Sequence, residues 1–186
     1  DVLEFSCDTL AFDTVFTELG TPTERCTVYN RHKKMLNISS VKLEGTSGGR
    51  FYLNVDGMTG EEFHNVEIRG EDSIFVFVEA YIDPTNKNNP IEIKDNVQFV
   101  TNGVSQRVLV TAWGQDVVRK YGEVITDDAT FTAEKPYVIF DSLVVEEGAK
   151  LTIEPGATLC FHEKAFIDVR GTLNAIGTQD APITLR

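Results

Sequence analysis

The chain has 186 residues, of which 17 are basic and 29 acidic, for a net charge of −12. Apolar residues make up 41 % and charged residues 25 %, the balance of a globular chain rather than a disordered one. This acidity argues against a nucleic-acid partner, whose phosphates need a basic surface, and no run of about 20 apolar residues offers a membrane-spanning helix.

The segments read as strands from the start, in keeping with a wealth of β-branched and aromatic residues. Cys26-Thr-Val-Tyr-Asn30 alternates. Leu36-Asn-Ile-Ser-Ser-Val-Lys-Leu43 alternates with one slip at Ser39-Ser40, the mark of a β-bulge. Phe51-Tyr-Leu-Asn-Val55 runs cleanly into a turn at Asp56-Gly57, and its edge is the place to look for strand addition by a peptide. Ile74-Phe-Val-Phe-Val78 is apolar on both faces, which predicts a central strand covered on both sides. Val97 and Phe99, then Val108, Val110 and Ala112, give two more runs around an Asn102-Gly103 turn. Strands at this spacing predict a β-sandwich over residues 1–117.

Residues 118–186 have another character: a linker, then short apolar pairs from Leu143/Val145 to Ile183/Leu185 with Gly148, Gly156, Gly171 and Gly177 at the corners. Leu151 to Leu173 is 22 residues and Leu159 to Ile183 is 24, the period of a parallel β-helix of barely two turns. Because Ile183-Thr-Leu185 ends on an apolar strand without a polar cap, we expect a longer natural protein, and end-to-end self-association or fraying there.

Cys7, Cys26 and Cys160 are odd in number and lack CxxC spacing, so no zinc site is expected. Cys7 and Cys26 are either bridged, if the first strands pair, or two buried free thiols; their separation decides. The start at Asp1 fits a cytosolic chain or a mature exported one.

The sequence offers no catalytic, cofactor-binding or metal-ligating set. His32, His64 and His162 stand far apart, as structural or surface residues do. Thr46-Ser-Gly-Gly49 leads into a strand rather than a helix, which predicts a flexible loop instead of a phosphate cradle. The stretch from Asp83 to Pro90 supplies oxygen atoms a calcium ion could use, but Pro and Asn are also ordinary turn residues and Lys87 opposes a cation. Asp127-Asp128 and Glu146-Glu147 point to opposite faces of a strand and read as solvated surface rather than a glycosidase pair. Trp113, Tyr121, Tyr137 and Phe140 cluster where the two units meet in sequence, either as rings on which a sugar stacks or as filling between the units.

Val28-Tyr-Asn-Arg-His-Lys-Lys-Met-Leu-Asn-Ile-Ser-Ser-Val41, Asp72-Ser-Ile-Phe-Val-Phe-Val-Glu-Ala-Tyr-Ile-Asp-Pro84 and Val108-Leu-Val-Thr-Ala-Trp-Gly-Gln-Asp116 resemble an immunoglobulin-like module of the ASH/HYDIN, PapD-like type. Leu151-Thr-Ile-Glu-Pro-Gly-Ala-Thr-Leu159 and Val169-Arg-Gly-Thr-Leu-Asn-Ala-Ile-Gly-Thr178 resemble the opening turns of right-handed β-helix proteins. The combination is similar to surface lipoproteins of Gram-negative anaerobic gut bacteria. It implies an all-β chain, an immunoglobulin-like β-sandwich followed by the start of a right-handed parallel β-helix, exported to the outer membrane surface or periplasm. The membrane would be met only through an N-terminal lipid anchor that is not in this chain.

Four Asp-Ser/Thr-aliphatic triplets, centred on Thr9, Thr14, Ser73 and Ser142, resemble the O-glycosylation signal of that bacterial group, although polar turns entering strands give the same pattern. The functional expectation is a non-enzymatic surface module with polysaccharide, host glycans or other surface proteins as partners and no cofactor. The alternative is the scaffold of a β-helix polysaccharide lyase or hydrolase whose site lies beyond residue 186. A stacked column of Asp, Lys or Arg at the turn period would favour the enzyme, and these turns show none.

Overall fold

A computed structural model describes residues 2–20, 23–48 and 50–186. Among them every regular element is a β-strand. The chain divides into two compact units, Asp1–Thr85 with Pro90–Gln115, and Asn86–Asn89 with Asp116–Arg186.

The first unit holds β1 (Glu4–Phe5), β2 (Thr9–Phe16), β3 (Glu24–Tyr29), β4 (Leu36–Leu43) and β5 (Phe51–Val55). It continues with β6 (Met58–Gly60), β7 (Glu62–Ile68), β8 (Ser73–Ala80), β9 (Ile91–Thr101) and β10 (Val104–Gln115). These form two five-stranded sheets, ordered β1-β3-β8-β5-β6 and β2-β10-β9-β4-β7. Strand pairs are antiparallel except β2 with β10, which run parallel. Alternation sends Val28, Leu53, Val55, Val76, Val78 of one sheet and Ile38, Val41, Phe99, Val110 of the other into one core, all at most 1 % exposed. Each such aliphatic side chain contributes about 2 kcal/mol through burial.

Local chemistry explains the connections. Asp56 (φ 49°) with Gly57 (φ 83°), and Asn102 (φ 51°) with Gly103 (φ 77°), both take two successive positive φ values, the signature of two-residue hairpin turns. The slip at Ser39-Ser40 is a register shift of β4 against β9 between Ile38 and Ser40, so that Ile38 and Val41 both face inward. Gly114 lies where a Cβ would stand 3.0 Å from Ile82 and 3.1 Å from Ile93, which accounts for a glycine at the end of β10.

Three expectations are corrected. β8 is central in its sheet but covered on one side only: Phe75 is 45 % exposed, because Phe75 and Phe77 occupy the outward positions of the alternation. β5 is interior, between β8 and β6, so Phe51–Val55 is not an edge; β1, β6, β2 and β7 are. The segment containing Thr46 and Ser47 is anchored rather than loose (Gly49 lies outside the described residues). Ser47 is 6 % exposed and its hydroxyl donates to Asp95 Oδ2 at 2.7 Å.

The second unit is a parallel β-solenoid of about three turns. Its strands are β11 (Val118–Ile125), β12 (Ala129–Phe131), β13 (Tyr137–Val145), β14 (Lys150–Ile153), β15 (Thr158–Phe161), β16 (Phe166–Val169), β17 (Thr172–Ala175) and β18 (Thr184–Leu185). One face stacks the first halves of β11 and β13 with β15 and β18; a second stacks their second halves with β16; a third is β12-β14-β17. Every pairing is parallel, with one register shift of β11 against β13 between Tyr121 and Glu123, and apolar side chains stack in columns such as Ala129–Leu151–Leu173 and Val118–Tyr137–Leu159–Leu185.

Between the first and second faces the chain bends at Gly122, Asp141 and Glu163, each at positive φ (53°, 65° and 49°). The coil begins a turn earlier than the apolar pairs indicate. Lys120 and Glu123 align with the buried Ile139 and Leu143, and they pair with each other at 2.9 Å. This ion pair gives the first rung a polar finish, as terminal turns of repeat folds require.

Candidate functional site

The outer face of the first sheet carries a groove lined by aromatic and polar side chains. Its volume is about 470 Å³, and Thr23, Tyr52, Asn54, Thr59, Phe77 and Glu79 contribute to its lining. Period-two alternation places them there: Ile74, Val76, Val78 and Ala80 enter the core, leaving Phe75, Phe77 and Glu79 outward. Antiparallel register sets Phe77 opposite Asn54 and Glu79 opposite Tyr52, so Tyr52 and Phe77 are diagonal neighbours.

The floor is ordered by Asn54. Its Oδ1 accepts the Gly57 N–H at 3.0 Å, and its Nδ2 donates to Thr59 Oγ1 at 3.2 Å. Beside the groove Phe75 lies 6.2 Å from Phe77, with the Arg25 guanidinium 4.9 Å above its ring. Tyr52 is 49 % exposed. Sequence reading missed this site because Phe75 and Phe77 sit in an apolar run that looks buried; the signal was the Tyr52/Phe77 pair in neighbouring alternating strands.

The four aromatic residues singled out from sequence have different fates. Trp113 belongs to the first unit, on β10, exposed and opposite Thr14 and Glu92. Tyr121, Tyr137 and Phe140 belong to the second. Tyr137 is a core residue rather than a stacking platform: its ring lies on Phe131 with centroids 4.2 Å apart, and its hydroxyl accepts the Thr132 N–H at 3.1 Å. Tyr121, Phe140 and His162 form a column up one solenoid face, with centroids 4.5 and 4.8 Å apart. Phe140 is half-buried between its two neighbours, while Tyr121 is 65 % exposed and His162 is exposed.

Of the four predicted modification residues, Thr14 is exposed, whereas Thr9, Ser73 and Ser142 are half-buried. The Asp72 triplet is a turn entering a strand, where the Ser73 N–H donates to Asp72 Oδ1 at 2.8 Å, whereas Asp141 is a positive-φ bend within β13.

Shifted carboxylates are tied to structural donors. Arg107, then Asn96, holds Glu44 below its usual range, and Arg31 does the same for Glu4. For Asp95, burial pushes the carboxyl up, but donors from Ser47, Asn96 and Thr46 outweigh it and leave it below its ordinary value. Among the described residues no group of three His, Cys, Asp or Glu side chains is arranged to hold a metal ion. Asn86, in the loop considered for calcium, donates its N–H to Asp116 Oδ2 at 2.8 Å.

The fold thus defines an all-β chain in which a β-sandwich precedes a parallel β-solenoid. No family model matches the chain. It is 38 % identical over 65 residues to Protein bark beetle of Drosophila melanogaster, a match covering 35 % of this chain but only 2 % of that protein's length.

Among solved structures it is similar to a protein of unknown function from Porphyromonas gingivalis W83 (12 % identity, 65 % of this chain and 60 % of that one, TM-score 0.43). It is also similar to a family 123 glycoside hydrolase from Clostridium perfringens (8 %, 61 % and 26 %, TM-score 0.41). The E. coli chaperone DraB matches at 11 % identity over 61 % of this chain and 54 % of that one, TM-score 0.38. At these scores the likenesses carry no functional argument; the fold rests on the strand pairings above.

Proposed function

We propose that this chain is a non-enzymatic structural and binding segment of a larger exported protein. The solenoid forms its base, and the outer face of the first sheet engages a neutral polysaccharide. The observation that carries this reading is the Tyr52–Phe77 pair in a groove edged by Asn54, Thr59 and Glu79. A pyranose ring needs an apolar ring to stack on and hydrogen-bonding groups beside it, and the groove supplies both. The net charge of −12 and Glu79 itself favour neutral over polyanionic chains. Placement at the surface of a Gram-negative cell, or in its periplasm, is supported by the resemblance of the sequence to bacterial surface lipoproteins.

Affinity electrophoresis in gels containing neutral β-glucan, xylan or mannan tests the proposal, with reducing-end release assayed on the same polymers. We expect retardation by at least one polymer without release, and about tenfold weaker retardation for Tyr52→Ala, the loss of roughly one stacked ring. Unretarded wild-type protein, or retardation indifferent to both Tyr52→Ala and Phe77→Ser, overturns it. Release of reducing ends overturns the non-enzymatic part.

A further inference from the structure

All three cysteines carry free thiols in the structure. Two of them are nonetheless placed as a cross-strand pair. β1 runs antiparallel to β3 with Glu4 opposite Tyr29 and Phe5 opposite Val28. The register continues past the end of β1: the Ser6 N–H donates to Thr27 O at 2.9 Å, and the Thr27 N–H donates to Ser6 Oγ at 2.8 Å. One step further sets Cys7 opposite Cys26. Contacts agree, with Cys26 Sγ lying 3.7 Å from Ser6 Oγ and 3.9 Å from Cys7 O.

We propose that Cys7 and Cys26 are a disulfide site, closing in an oxidising compartment to tie the end of the N-terminal edge strand to its neighbour β3. Directly opposed residues beyond a hydrogen-bonded pair have Cα atoms about 4.5 Å apart, inside the roughly 4.4–6.8 Å that a disulfide spans. The bridge encloses β2, so the segment that crosses to the second sheet and returns is held at both ends. Cys160, on the solenoid, serves as an internal control.

The chemistry balances with an external disulfide as oxidant, such as oxidised glutathione or a protein dithiol-disulfide. A Cys7 thiolate, the more exposed of the two, attacks it and releases one thiolate. Cys26 sulfur then displaces the second, forming the Cys7–Cys26 bond. Two electrons and two protons end on the external pair, now two thiols. Burial, and next the neighbouring Cys26, push the Cys7 thiol up to about 12. Thiolate is therefore scarce at neutral pH, and closure should quicken about tenfold per pH unit between pH 7 and 9.

The reduced 186-residue chain, equilibrated with oxidised and reduced glutathione, acid-quenched, alkylated and peptide-mapped, is the test. We expect a linked Cys7–Cys26 peptide and no bridge to Cys160. Reduction should lower the melting temperature of the first unit by roughly 10 °C, with Cys7→Ala melting at the reduced temperature in either condition. Alkylated or glutathionylated Cys7 and Cys26 without the linked peptide, or equal melting of oxidised and reduced wild type, overturns the proposal. Neither outcome depends on glycan binding.

Discussion

Asp95 is the most consequential polar residue of the sandwich. It occupies an inward position of β9 and is 1 % exposed. Its Oδ1 accepts the N–H groups of Asn96 (2.8 Å) and Gly45 (3.1 Å) and the Thr46 hydroxyl (3.2 Å). Its Oδ2 accepts the Ser47 hydroxyl at 2.7 Å and the Ser47 N–H at 3.4 Å. Replacement by alanine strips these donors of their acceptor in a site where Ser47 is buried. Hydrogen bonds to a charged group are worth about 1.5–3 kcal/mol each, but the loop can open and return some donors to water, so the expected loss is about 3 kcal/mol rather than their sum.

Urea unfolding followed by fluorescence of Trp113 reads this directly. Trp113 is the single tryptophan, and it lies on β10, which pairs with β9. A loss below about 0.5 kcal/mol would refute the assignment of Asp95 as anchor. The pH arm follows from the carboxyl standing below its ordinary 3.8 in the folded chain. The stabilisation is complete above that value and disappears as pH falls through the folded pKa. Wild-type midpoints should therefore drop below pH 4, and Asp95→Asn should drop less; parallel curves for the two would refute the linkage.

Two further positions, Gly171 and Asn30, yield predictions from geometry. A Cβ on Gly171 would stand 2.3 Å from both Ala149 O and Glu146 O, so Gly171→Ala should destabilise the solenoid by at least about 2 kcal/mol. Amide exchange across residues 118–186 would register it, with Gly20→Ala, where a Cβ meets nothing within 4 Å, as the neutral control. Asn30 is fully buried, and its Nδ2 donates to the carbonyls of Lys34, Ile68 and Arg69 at 2.8–3.0 Å. Asn30→Ala should cost about 2–3 kcal/mol in the same fluorescence assay, and Asn30→Asp more, since a carboxylate would face three carbonyl oxygens.

Much of the fold was legible because it is written in short-range chemistry. Asp56-Gly57 and Asn102-Gly103 adopt the positive φ values their residue types permit, and the slip at Ser39-Ser40 is a real change of register. What escaped depends on partners distant in sequence. Ser47 reads as a loose loop residue until Asp95, 48 positions away, is folded beside it. Phe75 and Phe77 read as buried because hydrophobicity alone does not distinguish a covered face from an aromatic one left open. The first solenoid turn carries Lys120 and Glu123 where later turns carry Ile139 and Leu143, so its apolar rhythm is erased by the charges that finish the coil. The groove shared this obscurity, since only pairing of β5 with β8 brings Tyr52 to Phe77.

The faces of the solenoid keep time differently. Along the third, Ala129, Leu151 and Leu173 recur at a constant 22 residues. Along the first, Val118, Tyr137, Leu159 and Leu185 are separated by 19, 22 and 26. The third face acts as a metronome, while the corners between faces change length from turn to turn, and the segment from β17 back to the first face is longer than its counterparts in the two turns before. Foreign peptides inserted between β17 and β18, where the widest interval falls, would be displayed as side loops without shifting the beat, which makes this coil a ready scaffold for surface display.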